Sequence, residues 1–200
     1  MAEAIDFYFD FTSPYSYLAS ERIDDLAGRY GRQVHWRPIL LGAVFQAVGT
    51  VSLVKQPDKA DYSVRDFTRS ARFLGIPYTH PANFPALTVA AARAFYWLDD
   101  RNGALARRFA HAAFRAYFAE GRDIGEAKLV VELAADAGAD PAEVAAGLQE
   151  QSVKDRLRAE TDGAIARGVF GAPWIVVDDE PFWGADRLPQ VERWLEMGGF

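Results

Sequence analysis

Ile5, Phe7, Phe9 and Phe11 alternate with Asp6, Tyr8 and Asp10. A period of two marks a strand, because successive side chains leave a pleated backbone on opposite faces. The run ends at Ser13-Pro14, a helix-start pair: serine caps free amides, and proline's fixed φ suits the first turn. Tyr15, Leu18, Ala19, Ile23, Leu26, Ala27 and Tyr30 then recur at helical spacing, and Gly31 is a natural stop. Val34 to Pro38 reads as a second strand. A strand, a helix and a strand in that order imply a parallel pair joined by a right-handed crossover.

The middle of the chain changes character. Residues 40 to 60 read as helix and loop, and helical patterns follow at about 61–74, 86–100, 104–119, 126–137, 141–148 and 153–167. Gly75/Pro77, Pro85, Gly103, Gly121/Gly125, Gly138 and Asp140-Pro141 bound them. Trp174 to Val177 is a short apolar run fit for a buried strand, Pro181 to Trp183 a second, and Asp186 is expected to cap a last helix running to about Glu196. The order β-α-β, helical block, β-β-α suggests an α/β thioredoxin-like fold with an inserted all-helical domain. On that reading, residues 1–40 and 168–200 make the thioredoxin-like domain and 41–167 the insertion.

Several functions are excluded at once. There is no cysteine, so disulfides, CxxC redox chemistry and thiolate metal sites are absent. With 22 Lys+Arg against 28 Asp+Glu the net charge is −6, which speaks against a nucleic-acid backbone as main partner. The start, Met1-Ala2-Glu3-Ala4-Ile5-Asp6, has no basic or apolar leader pattern, and Arg93 breaks the apolar stretch from Leu87 to Leu98; no signal peptide and no membrane span are expected. A cytoplasmic protein is the expectation.

Three places could carry chemistry. Ser13 stands at the strand-to-helix junction, where α/β sheets bind ligands and free amides stabilise an anion; the plainer reading is an N-cap. Gly171-Ala172-Pro173 precedes a strand. A cis proline there would free the backbone of Ala172 for a peptide-like ligand, whereas a trans proline is ordinary strand-edge chemistry. Trp183-Gly184-Ala185-Asp186-Arg187 is a second helix start, able to hold a carboxylate on its amides and an ammonium on Asp186, or simply to cap. His35, His80 and His111 lack metal-ligand spacing, so no metal site is expected. No nucleophile elbow, P-loop or dinucleotide fingerprint is present. Tyr96, Trp97, Phe109, Phe114, Tyr117 and Phe118 recur at helical spacing and read as core.

Taken in order, these segments resemble the 2-hydroxychromene-2-carboxylate isomerases, relatives of the kappa-class glutathione transferases with a DsbA-like architecture. The resemblance spans essentially the whole chain. It is carried by the stretch Phe7 to Ala19, by Trp36-Arg37-Pro38, Lys59 to Tyr62, Pro81-Ala82-Asn83-Phe84, Gly168 to Pro173 and Phe182 to Leu188. It implies glutathione as cofactor, with Ser13 donating a hydrogen bond to its sulfur where redox relatives have a cysteine. Ala172, before Pro173, would pair with the cysteinyl amide; Gly184, Ala185, Asp186 and Arg187 match the stretch that binds the γ-glutamyl end; Lys59 matches a lysine used at the glycine carboxylate.

The implied reaction interconverts an aromatic hemiketal carboxylate and its open trans-benzylidenepyruvate form, in a homodimer of aromatic catabolism. On the substrate side, Asn83 falls within the matching stretch, and three positions depart from the family. Thr50 stands where asparagine is common, Phe45 where a lysine occurs and Phe84 where a tyrosine occurs. Two other functions stand beside the isomerase: a kappa-like transferase consuming glutathione on electrophiles, and a catalytically silent thioredoxin-like binding module.

Overall fold

The computed structural model describes residues 3–200; Met1 and Ala2, part of the stretch examined for a leader, lie outside the described residues. Its sheet has four strands, β1 (Ile5–Phe9), β2 (Val34–Pro38), β3 (Trp174–Val177) and β4 (Glu180–Trp183), in the order β2-β1-β3-β4. β1 and β2 are parallel, as the β-α-β reading requires, and β3 and β4 add antiparallel. Helix α1 (Pro14–Arg29) makes the crossover. Between β2 and β3 run α2 (Leu41–Ala47), a 3-10 turn at Leu53–Lys55, α3 (Ala60–Leu74), α4 (Val89–Asp99), α5 (Gly103–Phe118), α6 (Ala127–Asp136), α7 (Pro141–Gly147) and α8 (Gln151–Ala166). A 3-10 turn, Ala185–Arg187, leads into α9 (Leu188–Met197). None of these helices is long and apolar enough to cross a membrane.

Strand β1 ends at Phe9, not Phe11, and both of its faces are covered. Phe7 and Phe9 face α1, α4 and α5: Phe9 lies 5.9 Å from Phe95 and 5.5 Å from Phe114, ring centre to ring centre. Tyr8 and Trp174 face the other way, against Leu41 and Val44 of α2 and Ala164 of α8. The aromatic stripe of α4 and α5 is core throughout, since Tyr96, Trp97, Phe109, Phe114, Tyr117 and Phe118 are all buried. Apolar residues surround α4 on every side, as in a central helix.

Charge also ties α1 to α5. His111 lies between Glu21 (Nδ1 to Oε1, 3.8 Å) and Asp24 (Nε2 to Oδ2, 3.7 Å). Arg115 pairs with Glu21 at 2.6 Å, Arg107 with Asp24 at 3.3 Å, and the Trp36 indole packs on His111 at 4.9 Å. Burial disfavours charge on His111, but Asp24 and Glu21 outweigh it and raise its pKa above the ordinary 6.5. Burial likewise opposes ionisation of Glu21, yet His111 and Arg115 lower it to about 2. A raised folded-state pKa adds stability that is whole below 6.5 and is lost as pH rises through the folded value. Chemical denaturation should therefore show this contribution falling as pH rises past 6.5, and His111→Gln should flatten that slope. An unchanged slope in the variant would remove His111 from the account.

Candidate active site

The sheet register gathers the chemistry at one end. Phe9 pairs with Pro38, Tyr8 with Trp174, and Trp174 with Trp183. The turn after β1, the start of α2, the residues before β3 and those after β4 thus share one edge, the end where α/β sheets bind ligands. Ser13, Ala172, Pro173 and Gly184 lie there.

Ser13 serves as a cap and also does more. Its Oγ accepts the Ser16 N–H at 3.1 Å, and its hydroxyl donates to the Ala172 carbonyl at 3.1 Å across the edge. Ser13 is only 5% exposed. A serine has one hydroxyl proton, so any other acceptor must displace Ala172 O. The Ala172–Pro173 bond is cis. A free Ala172 carbonyl was expected, and that part is corrected, since Ser13 already occupies it. Among the described residues no group accepts the Ala172 N–H, although the residue is buried. That leaves the donor available to a ligand carbonyl.

Behind this pair, Gly171 is glycine for a visible reason. A Cβ there would come within 2.6 Å of the Trp183 indole nitrogen. Phe170 packs edge-on against both Trp174 and Trp183, at 4.8 and 4.7 Å. The Gly184 N–H is taken by Pro173 O at 3.0 Å, and its φ of 113° is one that side chains rarely adopt.

The expected cap role of Asp186 is a correction. Helix α9 starts at Leu188 with Arg187 as its cap residue and no side-chain cap bond. Asp186 sits inside the preceding 3-10 turn, so its carboxylate folds back over Gly184 and pairs with Arg187 at 3.5 Å. It is mostly exposed, with Ala185 buried beside it.

Tyr15 joins this edge to α3. Its hydroxyl donates to Asp66, which also pairs with Arg69. Burial, then Asp66, then the charges of Tyr62 and Asp186 raise the Tyr15 pKa, so the phenol stays neutral. Lys59 precedes α3 and is exposed, its ammonium unpaired among the described residues.

The substrate-side candidates fall in two groups. Phe45 packs on the cluster holding Tyr8, Ala172 and Trp174, and Thr50 closes the turn after α2 by donating its N–H to Phe45 O at 2.9 Å. Asn83 is exposed, and Phe84 lies 6.0 Å from Phe67, which in turn contacts Tyr15 at 5.1 Å. Asp10 and Asp66 were not anticipated. Asp10 had a signal, being an acid inside the strand pattern, whereas Asp66 had none. Among the described residues no cluster of His, Asp and Glu could hold a metal.

The family model for a DSBA-like thioredoxin domain matches residues 4–196. The chain is 33% identical over 197 residues to a 2-hydroxychromene-2-carboxylate isomerase of Sphingobium xenophagum, covering 98% of this chain and 99% of that protein. It is 28% identical to glutathione S-transferase kappa 2 of Caenorhabditis elegans, over 96% of this chain and 92% of the relative. A solved structure of a 2-hydroxychromene-2-carboxylate isomerase superposes with a TM-score of 0.87 at 34% identity, covering 98% of this chain and 94% of the other. With its thioredoxin-like sheet and its serine at the edge, the chain belongs to the DSBA-like thioredoxin family and, within it, to the 2-hydroxychromene-2-carboxylate isomerases.

Proposed function

We propose that the protein is a glutathione-dependent isomerase that interconverts 2-hydroxychromene-2-carboxylate, or a close aromatic analogue, with its trans-benzylidenepyruvate isomer. The observation that carries this reading is the pair formed by the Ser13 hydroxyl and the unaccepted Ala172 N–H. They would give one donor for a sulfur and one for a peptide carbonyl, on two residues already joined by the Ser13 hydroxyl's bond to Ala172 O at a helix N-terminus. The remaining matched residues would complete a tripeptide site. Ala172 would hold the cysteinyl backbone, Gly184 to Arg187 the γ-glutamyl end, and Lys59 the glycine carboxylate. Asp186 is the carboxylate suited to an ammonium, and Lys59 the cation suited to a carboxylate.

Bound glutathione would supply a thiolate that adds reversibly to the conjugated carbon, lets the locked double bond rotate and is not consumed. The chain's own part is electrostatic and geometric. The Ser13 hydroxyl leaves Ala172 O and donates to the sulfur, which favours the thiolate and lowers the thiol pKa. The amides of α1's first turn and its dipole act in the same direction. Tyr15, held neutral and fixed by Asp66, keeps α3 against that turn. Phe45 and Phe84 offer apolar contact where the family resemblance implies a lysine and a tyrosine, so an aromatic ring would be recognised by packing more than by charge. The same reading takes the enzyme to be a cytoplasmic homodimer of aromatic catabolism.

The test is the ultraviolet spectrum of 2-hydroxychromene-2-carboxylate with enzyme, with and without glutathione. Glutathione-dependent approach to the benzylidenepyruvate equilibrium, with no glutathione lost, is expected. A stable thioether would mean a transferase, and no glutathione binding by calorimetry would mean a silent module.

A further inference from the structure

Asp10 is a carboxylate only 2% exposed, and nothing in the proposed chemistry uses it. Its Oδ1 accepts the Thr12 N–H at 2.9 Å and the Thr88 hydroxyl at 2.7 Å, and its Oδ2 accepts the Leu41 N–H at 2.7 Å. Its backbone carbonyl accepts the Ser13 N–H at 2.9 Å. These donors come from three stretches of chain. Thr12 and Ser13 make the turn into α1. Leu41 opens α2, whose own cap residue, Leu40, has no side chain to offer its amides. Thr88 is the cap residue of α4 and closes the loop that carries Asn83 and Phe84. A buried carboxylate is tolerated only when its oxygens are satisfied. Burial pushes this one's pKa up while the bonds from Thr12, Leu41 and Thr88 hold it down.

We infer that Asp10 is a positioning residue for the isomerisation: its carboxylate fixes the Ser13 turn, the start of α2 and the start of α4 relative to one another. The inference rests on the isomerase reading for its consequence, because Ser13 then stands on the cofactor side and Phe45 and Phe84 on the substrate side. Asp10 touches neither partner. It sets the gap between them, and a displacement of about 1 Å between reacting groups is worth up to about a hundredfold in rate.

The decisive comparison is Thr88→Val with Thr88→Ser. Valine keeps the shape and loses the hydroxyl, while serine keeps the hydroxyl and loses the methyl. If the bond to Asp10 positions the site, kcat/KM for the chromene falls about tenfold in Thr88→Val and stays within about twofold of wild type in Thr88→Ser. If Thr88 only fills space, the order reverses or the two variants match, and the inference is overturned. Asp10→Asn keeps an acceptor for Thr12 and Thr88 but loses the one for Leu41. It should raise KM for the chromene with glutathione affinity within about threefold, because the Thr12 bond beside Ser13 survives.

Amide hydrogen exchange reads the same coupling without turnover. Thr88→Val should speed exchange at Leu41 and Ser13 about tenfold or more. Wild-type rates at both would overturn the inference even in a chain that never converts the chromene. Conversely, an inactive wild type with the exchange response intact would overturn the isomerase reading and leave Asp10's role standing.

Discussion

Replacing Ser13 with alanine should cut glutathione-dependent turnover by more than about tenfold while the chain still folds. Two bonds go with the hydroxyl. The donor to the sulfur is lost, so the bound thiol reverts toward its ordinary, mostly protonated state at neutral pH. The acceptor for the Ser16 N–H is lost as well, which removes an N-cap worth about 1 kcal/mol. Ser13→Gly separates the two, since glycine at an N-cap costs only about a few tenths of a kcal/mol. Both variants should lose turnover alike and differ in stability. The direct readout is the thiolate absorbance of bound glutathione against pH, which should shift upward in both. An unmoved titration with an unchanged rate would remove Ser13 from the chemistry and return it to a cap.

The parts of this site that a sequence can reveal are those fixed by local rules. Ser13-Pro14 announces a helix start, and β2 and β3 have the expected bounds because a short apolar run between turn residues has few alternatives. Contacts between distant segments leave weaker traces. The alternation through Tyr8 and Asp10 marks a strand, yet nothing local says that α2 and α8 will cover the face that carries Tyr8. Asp66 lies on an ordinary amphipathic helix, and only the docking of α3 on α1 brings it to Tyr15. Asp186 looks like a cap by sequence, but a 3-10 turn intervenes and α9 begins after it. The free N–H of Ala172 is legible only as one branch of the cis-or-trans alternative at Pro173, and the bond from Ser13 to its carbonyl is not legible at all.

Gly147 is the sharpest case of a residue whose reason lies elsewhere in the chain, and it sets the largest stability effect expected. It ends α7 and looks like an ordinary tolerated glycine. In the fold it is buried against Trp97 of α4. A Cβ there would come 2.6 Å from Cε2 of that indole, and closer still to Nε1 and Cδ1. Trp97 cannot swing aside: it is only 4% exposed, its Nε1 donates to Glu150 at 3.0 Å, and the Arg101 guanidinium lies 3.8 Å over its ring. Overpacking of this kind costs about 1–3 kcal/mol, and the rigid partner puts Gly147→Ala at the upper end. At about 2–4 °C per kcal/mol for a chain of this size, thermal unfolding should come about 6–12 °C earlier. Gly28→Ala is the counter-case: a Cβ within α1 meets nothing within 4 Å, so alanine should stabilise by about 0.5–1 kcal/mol. If Gly147→Ala unfolds no earlier than wild type, α7 does not seat on Trp97 as described; if both alanines shift alike, helix propensity rather than packing governs these sites.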